Sequence, residues 1–253
     1  MQHKNFFTLK KDNFIYGMHP VLEALHAERE IEKIIVSTSL RGQYIGEVRS
    51  LCEKKQVPLQ YVPNEWFNKI TKANHQGIIG YLSVIEYQPV EHILPMIYDR
   101  GETPFLLILD RITDVRNFGA IARTATCAGV HAIIVPSRGH ALINSDAVKT
   151  SAGALNAIPV CREENLKETI TFLKNSGLLI VAATEKAKNS YTAVEMSGPA
   201  ALIVGSEEDG ISPAYLEMCD IKVRIPVFGE IGSLNVSVAT GIVLYEMVRQ
   251  RQL

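Results

Sequence analysis

No apolar run in the 253-residue sequence approaches the ~20 residues needed to span a bilayer. The first fourteen residues, MQHKNFFTLKKDNF, hold lysines but no signal-peptide core, so a soluble, cytoplasmic protein is expected. Cysteine is scarce. Cys52, Cys127, Cys161 and Cys219 lie far apart without a Cys-x-x-Cys spacing, which argues against a zinc knuckle or a disulfide framework and leaves four buried or idle thiols. Neither sign of charge dominates: 26 basic against 27 acidic side chains leave a net charge of −1, which excludes a basic nucleic-acid tail. With 47% apolar and 21% charged residues the chain is not disordered. Missing too are Gly-x-Gly-x-x-Gly after an early strand, Gly-x-x-x-x-Gly-Lys-Ser/Thr and Gly-x-Ser-x-Gly, so a dinucleotide dehydrogenase, a P-loop NTPase and an α/β-hydrolase have little support. His131 and His140 lack partners at metal-ligand spacing, and both are read as structural, with no metal expected.

What is present divides into two folded parts. Residues 1–85 carry strand-like runs at 33–37 (KIIVS) and 77–85 (GIIGYLSVI) among helical stretches around 21–27 and 41–55, a small α/β unit. Residues 86–104 hold three prolines and a glycine and read as a linker. From Phe105 short, fully apolar runs, FLLILD (105–110), AIIVP (132–136), LLIVAAT (178–184) and AALIVG (200–205), alternate with helical segments. Such runs suit strands of a parallel sheet covered on both faces, a doubly wound α/β domain over 105–253. The first part, counted to Glu86, is slightly positive, with 11 basic and 9 acidic residues.

Open α/β sheets bind ligands beyond the carboxyl ends of their strands. Three segments lie there: DRITDVRNFGAIARTATCAGV after FLLILD, GSEEDGIS after ALIV, and FGEIGSLNVSVATGIVLYE after IKVRIPV. Taken one at a time their residues have ordinary explanations. Asn117 reads as a helix N-cap, Glu207 as a carboxylate drawn to a helix start, and Ser233 with Asn235 as caps of the last helix. Arg123 is harder to dismiss, because a guanidinium among Ala120, Ile121, Ala122 and Ala125 needs an anionic or polar partner.

Taken together, NFGAIARTA (117–125), IVGSEEDGIS (203–212) and IPVFGEIGSLNVSVATGIVLYE (225–246) resemble, in order and spacing, the three motifs of the SpoU (TrmH) family of RNA ribose 2′-O-methyltransferases in the SPOUT superfamily. IYGMHPVLEAL (15–25) and HQGIIG (75–80) resemble the substrate-binding domain of members acting on large-subunit ribosomal RNA. One departure stands out: Asp114-Val115-Arg116 occupies the place where many members have Asp-Pro-His, so that Arg116 could add a phosphate contact.

The resemblance implies a deep trefoil knot in the α/β domain, a rare exception to chain-topology rules. It implies S-adenosylmethionine as cofactor, held by Gly205, Ile225 and Leu234 with Thr184 nearby. Glycine at 205 would let the backbone approach the ligand, and Ile225 and Leu234 would supply apolar walls. It also implies a homodimer packed through the last helix, about 235–251. There Val236, Ala239, Val243 and Met247 form a stripe that either this interface or the chain's own core must bury. By the same resemblance Arg123, Asn117, Glu207, Ser233 and Asn235 are the catalytic set. Guanidinium groups hold their proton through the biological pH range, so Arg123 is assigned to binding substrate phosphate and stabilising the incipient alkoxide; the final proton acceptor is left unassigned.

RNA, and ribosomal RNA first, is the expected partner, with a guanosine as target. Lys4, Lys10, Lys11, Arg41, Lys54, Lys55, Lys69 and Lys72 would contact phosphates, and Tyr16, Tyr61 and Trp66 would stack on bases. A transfer-RNA methyltransferase and a catalytically silent ribosome-assembly factor are the alternatives.

Overall fold

A computed structural model of the chain describes residues 14–27 and 29–252. Lys4, Lys10 and Lys11 lie outside the described residues. The described chain divides into two compact units, the first running to Glu86 and taking in Ile143–Ser145, the second formed by Tyr87–Leu142 and the chain from Asp146 onward.

The first unit runs β1 (Phe14–Tyr16), α1 (Met18–His26), β2 (Ile31–Ser37), α2 (Gln43–Lys54), β3 (Leu59–Val62), α3 (Phe67–Ile70) and β4 (Ile78–Leu82). Its sheet has the order β1-β4-β2-β3, antiparallel where β4 meets β1 and β2, and parallel between β2 and β3. Strand β2 is apolar on both faces because each face is covered. Ile34 and Val36 pack with Val21 and Leu25 of α1 and Val48 of α2, while Ile35 packs with Phe67 of α3. The HQG motif builds the turn into β4: His75 stacks on Phe67, its Nδ1 accepts from the Gly77 amide, and the Gln76 side chain accepts from the Met18 amide at the start of α1.

The second unit contains α4 (Val90–Asp99), β5 (Phe105–Asp110), α5 (Val115–Cys127), β6 (Ala132–Pro136), α6 (Ser145–Thr150), β7 (Val160–Glu163), α7 (Leu166–Asn175), β8 (Leu179–Ala183), β9 (Asn189–Ser190), β10 (Ala200–Gly205), α8 (Pro213–Leu216), β11 (Ile221–Arg224) and α9 (Val236–Arg251). The sheet order is β7-β6-β5-β10-β8-β11-β9, with every pairing parallel. Strands β5 and β10 are buried throughout, as their unbroken apolar runs require.

One expectation is corrected here. The stretch 86–104 is largely α4 rather than linker: Pro89 stands at its N-cap, Pro95 is tolerated inside, and Val90, Ile93, Leu94 and Ile97 enter the core beneath the sheet. Among the thiols, Cys127 is exposed on α5 and Cys219 is half-buried. Cys52 and Cys161 are buried, and desolvation pushes both up to about 12. His131 is structural, as read: Nδ1 accepts from the Phe105 amide and Nε2 faces Glu102 at 3.2 Å.

Candidate active site

Because the strands are parallel, the ends of β5, β8, β10 and β11 lie at one edge of the sheet, and the loops after them converge there. Asp114 caps α5 through its carboxylate, which accepts from the Asn117 amide at 2.8 Å. Asn117 is therefore not the cap: it sits within the first turn, and its side chain is free to reach across. Asn235 caps α9, with its side-chain oxygen accepting from the Ser237 amide at 3.0 Å and the Ser237 hydroxyl at 2.6 Å. The same residue's Nδ2 donates to Asn117 Oδ1 at 3.0 Å and to Glu207 Oε1 at 2.7 Å. Glu207 Oε1 also accepts from the Val236 amide at 3.4 Å. The carboxylate thus lies at a helix start, but that of α9, where unsatisfied amides and the helix dipole favour negative charge. One residue from each of the three segments meets at this junction.

Beside it is a cavity of ≈ 530 Å³, bounded by the loops after β8, β10 and β11 and by the start of α9. Thr184, Gly205, Ile225, Ser233 and Leu234 all line it, as do Glu207 and Asn235. The volume falls within the range of about 300–1,000 Å³ typical of small-molecule sites. Val204, Val223, Ile225 and Leu234 supply apolar wall; Glu185, Glu207, Glu208 and Asp209 against Lys186 make the lining acidic, suited to a cationic ligand. These residues fit a sulfonium nucleoside. A second cavity of ≈ 390 Å³ lies against Arg111, Thr113, Asp114, Asn117 and Gly139, and shares Ser206–Asp209 and Val236 with the first.

The reason given for Gly205 changes. A Cβ there would collide with the Gly210–Ile211 peptide, so the close approach that demands glycine is made by the chain's own turn. That turn is tight: the Gly210 amide donates to the Ser206 carbonyl at 2.9 Å and the Asp209 amide to Ser206 Oγ at 3.1 Å. Ser233 is exposed and, among the described residues, caps nothing.

Arg123 stands apart. It is exposed, lines neither of the two cavities, and has no hydrogen bond or ion pair among the described residues. Six residues at about 100° each turn it to a face other than that of Asn117. Val236, Val243 and Met247 are buried within the chain and Ala239 half-buried, so the stripe read on α9 is intramolecular; its outward face instead shows Val238 and Tyr245. Arg111, Glu185 and Lys186 escaped the sequence reading. All three lie within three residues of a strand's carboxyl end, the region to which the strand-end rule points.

In the first unit Lys54, Lys69, Lys72, Tyr16 and Tyr61 are exposed, while Lys55 and Trp66 are half-buried. Arg41 donates to the Thr38 and Leu40 carbonyls, and the Tyr61 hydroxyl accepts from Arg49.

Residues 104–245 match the model of the SpoU rRNA Methylase family, and residues 14–88 match that for RNA 2′-O ribose methyltransferase substrate binding. The 23S rRNA (guanosine-2′-O-)-methyltransferase RlmB of Photorhabdus laumondii is 38% identical over 94% of this chain and 98% of its own length. That of Vibrio parahaemolyticus is 38% identical over 95% and 98%. The crystal structure of an AdoMet-bound rRNA methyltransferase from Sinorhizobium meliloti superposes with a TM-score of 0.60 at 26% identity, covering 94% of this chain and 87% of that one. With its signature segments joined at Asn235 and its length matched almost throughout, this chain belongs to the SpoU family of S-adenosylmethionine-dependent RNA 2′-O-methyltransferases.

Proposed function

We propose that this chain methylates the ribose 2′-oxygen of a guanosine in 23S ribosomal RNA, in the cytoplasm, with the cofactor in the larger cavity and the target nucleotide entering from the Asn117 side. The observation that carries the reading is the Asn117–Asn235–Glu207 junction at the wall common to both cavities. The choice of RNA rests on 38% identity to two RlmB enzymes over nearly their whole length, including the substrate-binding part. No helix among the described residues is long and apolar enough to cross a membrane, and no group of three or more His, Cys, Asp or Glu is placed to hold a metal ion.

Bound S-adenosylmethionine supplies a methyl group that carries its own sulfonium leaving group. The protein's share is positioning and charge. Thr184, Gly205, Ile225 and Leu234 bound the cofactor cavity; Asn235 fixes Glu207 and Asn117 relative to one another; Ser233 lines the same cavity. Arg123 serves substrate phosphate and the developing alkoxide. Since it faces away from its own chain's cavities, we assign it to the site of a second copy, in a homodimer built on the outward face of α9 and its neighbour α5. Support comes from the exposed Val238 and Tyr245 on α9, the exposed Phe228 and Ile231 in the loop before it, and the close packing of Gly241 on Thr124 that holds α5 against α9. We further propose that the C-terminal segment is threaded as a trefoil knot. The insertion of β10 between β5 and β8 supports this threading.

Incubation with labelled S-adenosylmethionine and separate ribosomal and transfer RNA pools, followed by mapping of alkali-resistant linkages, tests the reading. Label at a guanosine of 23S RNA is expected. Label confined to transfer RNA would redirect the substrate, and none in either pool would favour a silent assembly factor.

A further inference from the structure

Arg111, the residue after β5, holds φ at 57°, a left-handed conformation that L-residues adopt only at a steric cost and that glycine would take freely. Persistence of a large side chain at such a position points to work done by that side chain. Its guanidinium makes four hydrogen bonds. Nε donates to Asp110 Oδ1 at 3.1 Å and Nη2 to Asp110 Oδ2 at 3.3 Å, a bidentate pair with a carboxylate that is only 2% exposed. From there it reaches the turn after β10: Nη1 donates to Asp209 Oδ2 at 3.1 Å and Nη2 to the Gly210 carbonyl at 3.1 Å. Asp110 closes the circuit by accepting from the Ser212 amide at 2.6 Å.

The turn so gripped, Ser206–Gly210, carries Glu207, whose carboxylate meets Asn235 and the Val236 amide on its other side. Arg111 itself touches neither of these and lines only the smaller cavity.

We propose that Arg111 is a positioning residue for methyl transfer: anchored on buried Asp110, it fixes the 206–210 turn so that Glu207 stays in register with Asn235. The proposal rests on reading the Asn117–Glu207–Asn235 junction as the catalytic centre. A residue that orients the reaction geometry affects the catalytic step more than the binding of RNA, and small misplacements of a positioned group cost up to about 100-fold in rate.

The test compares Arg111→Gln, Glu207→Gln and the double variant, in kcat and RNA KM at saturating cofactor and in hydrogen exchange at the amides of 206–210 and Val236. Because loss of the arginine strands a buried carboxylate, Asp110→Asn/Arg111→Gln serves as a charge-balanced companion. We expect Arg111→Gln to lower kcat about 10–100-fold with RNA KM within about threefold, and to add almost nothing in the Glu207→Gln background. Faster exchange at the turn and at Val236 should accompany it in both Arg111 variants. Multiplicative effects of the two substitutions, a rise in RNA KM with kcat intact, or unchanged exchange would each overturn the proposal. The exchange result stands without turnover, so a wild-type protein that methylates no RNA would refute the function while leaving the clamp to be judged on its own.

Discussion

Asn235 Nδ2 lies 2.7 Å from Glu207 Oε1 while the oxygen of the same side chain caps α9. One amide thus uses both ends, satisfying a helix terminus with its acceptor and tying two distant segments with its donor.

Replacing Asn235 with Ala should therefore do two things at once. Loss of the cap lowers stability by about 0.5–2 kcal/mol, and release of Glu207 and Asn117 lowers both cofactor affinity and turnover. Asn235→Asp keeps the capping oxygen but sets a carboxylate against Glu207, so its thermal midpoint should fall less than that of the alanine variant while activity stays low. Melting curves and calorimetric titration with S-adenosylmethionine separate the two.

Arg123→Ala should bind cofactor as the wild type does, because the side chain lines neither cavity, yet lose methyl transfer by about 100-fold or more, the loss seen when a group that stabilises developing charge is removed. Equal loss of cofactor binding and turnover would make it a structural residue. If the arginine serves a second copy, mixing Arg123→Ala with Asn235→Ala subunits restores part of the activity that neither has alone.

Gly205→Ala forces a methyl group into the Gly210–Ile211 peptide. Backbone cannot swing aside as a side-chain tip can, so the cost should reach or exceed about 1–3 kcal/mol, seen as a lower thermal midpoint together with weakened cofactor binding.

Acid should weaken the hold on α9. Hydrogen bonds from Arg249, with a further one from Gln250, hold the Glu246 carboxyl at about 2, below its ordinary 4.5. A carboxyl depressed by folding stabilises the native state above its unfolded value, and that contribution is lost as pH falls from about 4.5 through about 2. Glu246→Gln should be less stable than wild type at pH 7, and the gap should close across that window in denaturant titrations.

Much of the architecture was legible because its physics is local. Unbroken apolar runs such as FLLILD and AALIVG became β5 and β10 at the boundaries their composition indicates, since a strand covered on both faces has no polar alternation to obscure its ends. Helix α4 was missed for the opposite reason. Proline argues locally against a helix, whereas Pro89 precedes this one and the burial of Val90, Ile93, Leu94 and Ile97 offsets the bond lost at Pro95. At the site, Asn117, Glu207 and Asn235 are separated by 28 to 118 positions, so no window of sequence reveals that they touch; only the resemblance to a family put them together. The capping role of Asp114 and the left-handed backbone of Arg111 depend on how one turn closes, which side-chain type alone does not decide.

Ser206–Asp209 and Val236 are faced by both cavities, so on the proposed reading the compartments for donor and acceptor share one set of lining residues. Any occupant that shifts these residues changes the affinity of the opposite compartment, and thermodynamic reciprocity makes the effect equal in both directions. Pre-filling one chamber should therefore tune admission to the other, and the demethylated product, whose sulfur is left neutral once the methyl group has gone to the ribose oxygen, should be held less firmly by the acidic lining than the cationic donor it replaces.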